Sequence, residues 1–438
     1  MKKQFINSLF IFLDVLFLVF FYYLIFKIRG SLEASWLPDF NTNILSNSSM
    51  FFIIILATLL YEKIYFIRFD FWEETRLTLR ALLLSFVIIL SILMLGKVSQ
   101  EYSRLFLMAY FLGLMILLPI YKRIVKRVIF KVKFFRKKVK IVGNQEQIDL
   151  LTKEFTKNWY FGFEIVKKNP DVIFVASKNI GITTINRYLK RYSLSIKDIY
   201  LLPYMSNINF SQSQIVELFN IKTTAIKIEN NLLKKGNIYL KEIFEKILVI
   251  SVLPFFLIVH VILFFLIKRD SNGPSLFKQD RLGKNNKLFK CYKYRTMIQN
   301  SDEVLAKYLK NNPQEVEYYE IYHKYRFDPR VTKVGRVLRK LSLDELPQLI
   351  NVLKGEMSLI GPRPYMPNES QMIEDSIDMI LRVKPGISGL WQVSGRSNLS
   401  FSERKNLDVW YIQNWSLWMD IVILIKTFKV VFLKTGAK

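Results

Sequence analysis

The sequence predicts a mainly α-helical membrane protein with four N-terminal transmembrane helices, a small Rossmann-like α/β domain and an α-rich C-terminal domain. Its 438 residues are 51% hydrophobic and 15% aromatic, and the formal net charge is +28. A chain this apolar does not fit one soluble domain, and a chain this basic is expected to bind anionic partners. Because apolar runs dominate where a basic groove would be needed, we expect no nucleic acid partner.

Four apolar stretches fill the first 121 residues. They run from Phe5 to Phe26, from about Ile44 to Tyr61, from Leu77 to Leu95 and from Leu105 to Tyr121. Each is long enough to cross a hydrocarbon core of roughly 30 Å. We therefore predict a four-helix transmembrane region over residues 1–121. Asp14 lies within the first stretch, and we expect it to pair with other protein groups, since intramembrane charges usually face protein.

Basic residues flank this region at both ends. Lys2 and Lys3 precede the first stretch, and ten Lys or Arg with no acidic residue lie in residues 122–140. Lys and Arg close to a span favour the cytoplasm, so both ends are expected there. We interpret residues 122–138 as a basic linker that contacts anionic lipid, with a specific ligand site as the alternative.

Residues 139–235 alternate strand and helix patterns. The strand-like segments are VKIVG, FEIVK, PDVIFVAS and DIYLLP, and INRYLKRY is helical. This alternation predicts a small parallel-sheet domain. The turn after its first strand, VGNQEQ, has one glycine, so the phosphate-binding fingerprint G-x-G-x-x-G is missing. We interpret the domain as a scaffold, with nucleotide binding as the alternative.

A further apolar segment, residues 247–267, is uncharged and has basic residues on both sides. Its length would allow a fifth crossing. Pro254 removes a backbone hydrogen bond and clashes one turn back, so it favours a kink. We predict a re-entrant helix hairpin, kinked at Ser251 and Pro254, that returns to the side it entered. His260 within it is expected to be a buried polar residue.

Residues 342–353 read SLDELPQLINVL and have two interpretations. In the first, Ser342 and Glu345 form a capping box at a helix start. The buried face would then be Leu346, Leu349, Ile350 and Leu353, which recur at helical spacing. In the second, Asp344 and Glu345 are a reaction centre, because a carboxylate can hold Mg²⁺ or attack phosphorus. A helix dipole would keep Asp344 ionised in either case.

Cations and Gly-Pro turns surround this acidic pair in the sequence. Arg363 lies between Pro362 and Pro364, which restrict the backbone that carries its guanidinium. A rigid arginine suits bidentate phosphate contacts, and a simple tight turn is the alternative. The further cations are Lys293, Arg295, Arg339 and Arg396. Each alone is typical of a solvated surface, but their clustering favours a polyanionic substrate.

From about residue 241 the chain resembles the bacterial sugar transferase family, the monotopic polyprenyl-phosphate phosphoglycosyl transferases. The resemblance runs in order through FKQDRLG, KYRTM, LSLDELPQL, GPRP, KPGISGLWQVSGR and DVWYIQNWSLWMDIVILIKT. The N-terminal half is similar to that of large members that start O-antigen, capsule or exopolysaccharide synthesis. Residues 241–438 are therefore expected to form the phosphoglycosyl transferase domain.

This resemblance implies transfer of hexose 1-phosphate from a UDP-sugar to undecaprenyl phosphate, with release of UMP. Galactose is favoured by NNPQEVEYYEIYHKYRFDPRVTKVGR, and glucose is the alternative. Asp344 is implied as the nucleophile that forms a covalent phosphosugar, with Glu345 as its catalytic partner and Mg²⁺ held by Asp344 as cofactor. The implied substrate phosphate contacts are Lys293, Arg295, Arg339, Arg363 and Arg396. Two competing hypotheses are a UDP-releasing membrane glycosyltransferase and a membrane scaffold without activity.

The expected location is the bacterial inner membrane, as a multi-pass protein whose catalytic domain faces the cytoplasm. The single cysteine, Cys291, excludes an intramolecular disulfide and fits that compartment. From Trp410 to Phe432, aromatic residues followed by an apolar run predict a helix in the bilayer interface, with ordinary core packing as the alternative. We further expect a homo-oligomer, a dimer.

Overall fold

The computed structural model describes residues 2–32, 49–96, 102–193, 196, 198–203, 214–218, 223–227, 231–317, 325, 327–395 and 399–432. The chain divides into two compact units, Met1–Ser206 and Asn207–Lys438. The helices of the first unit are α1 (Lys2–Ser31), α2 (Ser49–Tyr61), α3 (Phe71–Leu95), α4 (Arg104–Ile129), α5 (Gln145–Lys157) and α6 (Ile182–Ser193). Its strands are β1 (Lys137–Val142), β2 (Phe163–Ile165), β3 (Val172–Ala176) and β4 (Asp198–Leu202).

Four described helices are long and apolar enough to cross a membrane: Gln4–Ser31, Phe71–Leu95, Arg104–Ile129 and Lys235–Asp270. The first three confirm three of the four predicted N-terminal spans. The second predicted span differs, since α2 has only 13 residues where about 20 are needed to cross. Residues 44–48 of that prediction lie outside the described part. The protein is accordingly a mainly helical, multi-pass membrane protein.

Buried ion pairs join helices of the first unit. Asp14 Oδ2 lies 2.5 Å from Lys122 Nζ and accepts a hydrogen bond of 2.7 Å from Tyr65 OH. Glu74 of α3 pairs with Lys126. The expected pairing of Asp14 is confirmed, because an isolated charge there would be costly.

The same ion pairs correct the predicted basic linker. Helix α4 continues to Ile129, so the first part of residues 122–138 is helix. Lys122 and Lys126 are each only 5% exposed. These two lysines face the carboxylates of α1 and α3 and therefore cannot serve as contacts to lipid.

The small parallel sheet has the strand order β2-β1-β3-β4. Every residue of β3 is buried, which fits a central strand covered on both faces. A Cβ at Gly143, directly after β1, would lie 2.8 Å from Ala176 O, so this position needs glycine. The strand–helix alternation predicted for this region is confirmed. The predicted end of this domain at residue 235 stays a prediction, because residues 204–213, 219–222 and 228–230 lie outside the described part.

The second unit contains the remaining elements. Its helices are α7 (Lys235–Asp270), α8 (Ser301–Asn311), α9 (described over 314–317), α10 (Lys333–Lys340), α11 (Gln348–Leu353), α12 (Ile377–Ile380), α13 (Leu390–Ser394), α14 (Phe401–Asn414) and α15 (Leu417–Phe432). Its strands are β5 (Gln214–Leu218), β6 (Thr223–Lys227), β7 (Leu276–Leu282), β8 (Leu288–Tyr294), β9 (Ser358–Ile360) and β10 (Gly386–Ser388). They pair as the antiparallel hairpins β5–β6 and β7–β8 and as the short parallel pair β9–β10.

Helix α7 includes the predicted re-entrant segment and is helical without interruption through Pro254. Ser251 Oγ donates to Leu248 O one turn before this proline, at 2.8 Å. Large apolar side chains remain exposed along the helix, including Phe255 at 68%. This exposed surface suits a membrane environment. The helix hairpin, and with it the kink at Ser251 and Pro254, stays a prediction.

A buried polar cluster fixes the start of α7 to the rest of the unit. Lys241 Nζ donates to Asp420 Oδ2 at 2.6 Å and to Ile360 O at 2.9 Å, and it lies 2.9 Å from Glu245 Oε1. Glu245 in turn accepts a hydrogen bond of 2.7 Å from Ser358 Oγ. The cluster therefore ties the long apolar helix to β9 and α15.

The C-terminal aromatic residues divide between core and surface. Tyr411 and Trp415 are buried, and both donate to the Asp420 carboxylate, at 2.7 and 2.9 Å. Trp410 and Phe428 are exposed, at 42% and 62%. Core packing thus accounts for the first two residues, and an interfacial position of the helix remains a prediction carried by the exposed pair.

Candidate active site

The hairpin β7–β8 supplies two cations on one face. Its register pairs Phe277 with Lys293 and Arg281 with Phe289. Since side chains alternate along a strand and cross-strand partners share a face, Lys293 and Arg281 point to the same side. Both side chains are largely buried, and both lie close enough to Glu345 to influence its charge.

The acidic pair lies on a tight turn and not at the start of an α-helix. Leu343–Glu345 form one 3-10 turn, and Ser342 before it has φ 54° and makes no capping bond. Glu345 turns instead toward Lys293 Nζ, at 2.7 Å from Oε1. The predicted capping box is therefore wrong, because a lysine distant in the sequence binds the carboxylate that the cap requires. Asp344 lies on this 3-10 turn, before α11 begins at Gln348, and not in the first turn of an α-helix.

The buried face of α11 also differs from the prediction. The fully buried positions are Gln348, Asn351 and Val352, whereas Leu353 is 37% exposed. Asn351 explains the difference, since its amide accepts from Tyr292 N and donates to Lys290 O. These bonds clamp α11 against the strand that carries Lys293. Polar bonding to β8, and not an apolar stripe, therefore sets the orientation of this helix.

The two carboxylates have different electrostatic surroundings. Burial, and then repulsion from Glu345, raises the pKa of Asp344 to about 6. Burial alone would also raise the pKa of Glu345, but the charge and hydrogen bond of Lys293 lower it. No ion pair or side-chain hydrogen bond from a described residue engages the Asp344 carboxylate. Asp344 is therefore ionised at neutral pH and available, whereas Glu345 is occupied.

Arg339 lies on the other side of Asp344. It belongs to the last turn of α10, and its Nε donates to Thr296 Oγ1 at 3.0 Å. The positive charge of Arg339 lowers the pKa of Asp344 and so opposes the effect of burial. Burial lowers the pKa of Arg339 itself, and the carboxylate of Asp344 partly restores it. The structure thus brings Arg339 to the acidic turn, and its predicted phosphate contact stays a prediction.

The GPRP loop, residues 361–364, is fixed through its backbone. The Arg363 N–H and the Tyr365 OH both donate to Asp408 Oδ2, at 3.1 and 2.8 Å. Gly361 packs so tightly on Gly386 that a Cβ at Gly361 would lie 2.7 Å from Gly386 N. Burial raises the pKa of Asp408 to about 7. The loop therefore has little freedom to move its arginine.

Glu369 holds two arginines side by side. Arg363 Nη2 lies 3.2 Å from Glu369 Oε1, and Arg281 Nη1 lies 3.9 Å from Oε2. Arg281 also donates to Pro364 O at 2.9 Å. One carboxylate thus orients two guanidinium groups and leaves a net positive charge, which is the arrangement expected for an anionic ligand.

Comparisons with known proteins agree with these motifs. A family model described as bacterial sugar transferase matches residues 236–434. The undecaprenyl-phosphate galactose phosphotransferase of Salmonella typhimurium is 31% identical over 402 residues, covering 85% of this chain and 84% of that protein. This chain belongs to the bacterial sugar transferase family.

Two further relatives align with different shares of this chain. The UDP-galactose-lipid carrier transferase of Erwinia amylovora is 32% identical over 403 residues, or 85% of this chain and 84% of that protein. The exopolysaccharide production protein ExoY of Sinorhizobium fredii is 45% identical over 188 residues, or 43% of this chain and 81% of that protein. The chain is thus similar to both long and short relatives.

One predicted site residue of the transferase, Arg295, does not join the group. Arg295 donates to Pro274 O and Ser271 O, both at 2.6 Å, and so satisfies carbonyls at and beyond the end of α7. Main-chain carbonyls at a helix end need such donors. Arg396 lies outside the described residues. His260 is half-buried and not fully buried as expected, and its Nδ1 lies 2.7 Å from Tyr294 OH.

The sequence interpretation missed the roles of Arg281, Asn351, Glu369 and Asp408. Arg281 had a usable signal, since strand alternation in FKQDRLG places it beside Gln279 on the face that meets Lys293. Asp408 and Glu369 lie in polar helical stretches where an acidic residue is ordinary. Nothing local distinguished them from solvated surface charges.

Proposed function

We propose that this transferase moves hexose 1-phosphate, with galactose favoured, from a UDP-sugar to undecaprenyl phosphate through a covalent intermediate on Asp344. The observation that carries the proposal is the difference within the acidic pair: Glu345 is bound to Lys293, whereas no side chain of the described residues forms a hydrogen bond or ion pair with the Asp344 carboxylate. The names of the Salmonella and Erwinia relatives support the choice of galactose and lipid carrier. Glucose 1-phosphate transfer is the alternative within the family.

In the first step, a carboxylate oxygen of Asp344 attacks the sugar-linked phosphorus of the UDP-sugar. The bond from this phosphorus to the bridging oxygen breaks, and UMP leaves with that oxygen. In the second step, undecaprenyl phosphate attacks the same phosphorus and the Asp344 carboxylate is released. Undecaprenyl phosphate is anionic at neutral pH, since phosphate monoesters have a second pKa of about 6. The reaction therefore needs no histidine base.

The cations around the turn would hold the phosphates. Arg363 and Arg281 are oriented by Glu369, and Lys293 and Arg339 flank the acidic turn. Phosphoryl transfer depends mainly on alignment and charge neutralisation, which fixed guanidinium groups provide. Asp344 attacks as an anion, so these cations also reduce its repulsion from the diphosphate.

Mg²⁺ is proposed as the cofactor. Among the described residues no cluster of three or more His, Cys, Asp or Glu could hold a metal. Mg²⁺ often binds through one or two carboxylates together with substrate phosphates, and the Asp344 carboxylate, which no described side chain binds, fits that mode. When bound, the ion would neutralise charge on the diphosphate, alongside the protein's own cations.

The proposed place of the reaction is the cytoplasmic face of the bacterial inner membrane, as the first membrane step of O-antigen, capsule or exopolysaccharide synthesis. Lys and Arg next to the apolar helices support this orientation. The re-entrant position of residues 247–267 belongs to the same proposal, because it keeps the catalytic residues on the side of the UDP-sugar. A homodimer stays a prediction.

The decisive experiment incubates the purified protein with undecaprenyl phosphate and each of several UDP-sugars, and identifies the nucleotide released. UMP supports phosphosugar transfer, whereas UDP would mean that the sugar moves without its phosphate. A purified protein that releases neither nucleotide would favour the scaffold. UDP-galactose is expected to react fastest, and a preference for UDP-glucose would correct the sugar only.

A further inference from the structure

The first unit has a cavity of about 300 Å³, open to solvent, that has no part in the proposed reaction. It lies between the first turns of α1, the segment before α3 and the amino ends of β1, β3 and β4. Its charged lining residues are Lys2, Arg68, Arg136, Lys137, Asp171 and Asp198. Four cations against two carboxylates leave the cavity positive. Its size is at the lower end of small-ligand pockets.

Arg68 is the distinctive residue of this cavity. Its guanidinium carbon lies 4.8 Å from the ring centre of Phe130 and 5.4 Å from that of Phe10, so two buried aromatic rings fix its position. Among the described residues no carboxylate forms an ion pair with it. Burial lowers the pKa of Arg68 to about 10, which reflects the cost of a charge in these surroundings.

Two neighbouring buried lysines, unlike Arg68, form ion pairs. Lys122 is paired with Asp14, and Lys126 with Glu74. Each of these lysines thus has a carboxylate in direct contact, whereas Glu74 favours the charge of Arg68 only from a distance and forms no ion pair with it. A partly buried cation without a direct ion pair is stabilised when an external anion reaches it.

Arg136 adds hydrogen-bond donors to the same wall. Its Nε donates to Phe130 O at 2.6 Å, so the backbone carbonyl orients its guanidinium. Asp171, by contrast, uses one carboxylate oxygen to accept from Lys138 N at 2.8 Å. Ile6 and Val172 are buried at the lining and supply an apolar side.

We propose that this cavity is a binding site for a phosphate group, held by the guanidinium groups of Arg68 and Arg136. Arginine suits this role because its planar fork matches phosphate oxygens bidentately. The phosphate can come from the headgroup of an anionic lipid, which the first turns of α1 would meet at the bilayer surface, or from a soluble phosphate. The site is independent of the acidic turn and does not rest on the proposed function.

The test uses the full chain in phosphatidylcholine nanodiscs and follows its thermal unfolding midpoint. In one arm the discs also contain phosphatidylglycerol, and in the other inorganic phosphate is added at constant ionic strength. A ligand that binds only the folded state raises the midpoint. We expect a rise in at least one arm for the wild type, and the arm that responds identifies the source of the phosphate.

Substitutions then locate the effect. Arg68→Gln and Arg136→Gln should each lose that rise, and Lys131→Gln should keep it, because Lys131 is an exposed cation of the same basic segment that does not line the cavity. Arg136→Gln leaves the packing of Arg68 on its two rings intact, so it serves even where Arg68→Gln fails to fold. No rise in either arm, or an equal rise in Arg136→Gln and Lys131→Gln, would overturn the proposal.

Discussion

The ammonium group of Lys293 lies 2.7 Å from Glu345 Oε1 and makes no comparable contact with Asp344 among the described residues. Two adjacent carboxylates on one turn therefore have different states: one is bound to a cation, and the other is free to act. Burial, and then repulsion from Glu345, raises the pKa of Asp344, while Lys293 stabilises the charge on Glu345. This asymmetry separates the expected effects of substitutions at the two positions.

Asp344→Asn is expected to abolish turnover and also the exchange of labelled UMP into UDP-sugar, because the amide cannot form the acyl phosphate. Glu345→Gln should retain measurable exchange, since the proposed nucleophile is still present. Exchange is measured without undecaprenyl phosphate, so it reports the first step alone. Ordinary exchange in Asp344→Asn would rule out the covalent mechanism.

The first step should depend on pH through Asp344. Its pKa of about 6 lies below neutrality, so the reactive carboxylate is present at pH 7 and is lost as the pH falls through 6. Single-turnover UMP formation should then decrease about tenfold per pH unit below that value. Omitting undecaprenyl phosphate removes the titration of the acceptor from the measurement.

Glu345→Gln provides the control for this assignment. Removing the neighbouring negative charge lowers the pKa of Asp344, and Lys293 then becomes free to favour the Asp344 carboxylate further. The pH profile should therefore shift to lower pH in Glu345→Gln. A pH profile that is unchanged, or that shifts to higher pH, would mean that another group controls the rate.

The sequence was sufficient for features that depend on local pattern. The length of the apolar stretches located the long helices, and the strand–helix alternation located the parallel sheet. Burial in lipid or in a sheet requires a recognisable pattern of apolar residues. Asp14 was correctly expected to pair, since an intramembrane charge needs a partner. Even here the partner, Lys122, lies 108 residues away, and the sequence did not identify it.

The errors at the site share a physical cause. Ser342 and Glu345 match a capping box locally, but a contact with Lys293, 52 residues away, is made instead. Asn351 likewise bonds to a strand 59 and 61 residues before it, which overrides the apolar stripe. The sequence motifs therefore located residues of the site, whereas long-range polar contacts determine the partner of each side chain.

Arg363→Ala should lower kcat/KM for the UDP-sugar. The lost transition-state stabilisation should be about 2–5 kcal/mol, the range for truncating one side of a buried charged contact. The loop backbone is held by Asp408 and is expected to stay in place, so the loss reflects the guanidinium. Lys290→Ala is the control for loss of a cation, because this exposed lysine of β8 pairs only with Asp280 in the described structure. Equal rates for the two variants would contradict the phosphate role of Arg363.

Asp408 should act as a positioning residue for that arginine. Asp408→Ala leaves the Arg363 N–H and the Tyr365 OH without their acceptor, at a cost of about 1–3 kcal/mol for each buried donor. Asp408→Asn keeps a carbonyl oxygen in place and should retain most activity. We expect a raised KM for the UDP-sugar in the alanine variant, checked by steady-state kinetics on protein of verified folding. Equal losses in both variants would show that the negative charge, and not the acceptor oxygen, matters.

The re-entrant position of α7 predicts that both of its ends face the cytoplasm. Lys235 and Lys268 are exposed at the two ends of the helix, and the buried Cys291 is the only native cysteine. In a Cys291→Ser background, Lys235→Cys and Lys268→Cys should both resist a membrane-impermeant thiol reagent in intact cells and react after the inner membrane is opened. Reaction of Lys268→Cys alone in intact cells whose outer membrane is permeable would mean that α7 crosses the bilayer. The catalytic turn would then lie on the side opposite to the UDP-sugar, and a reporter fused after Lys438 should be periplasmic as well.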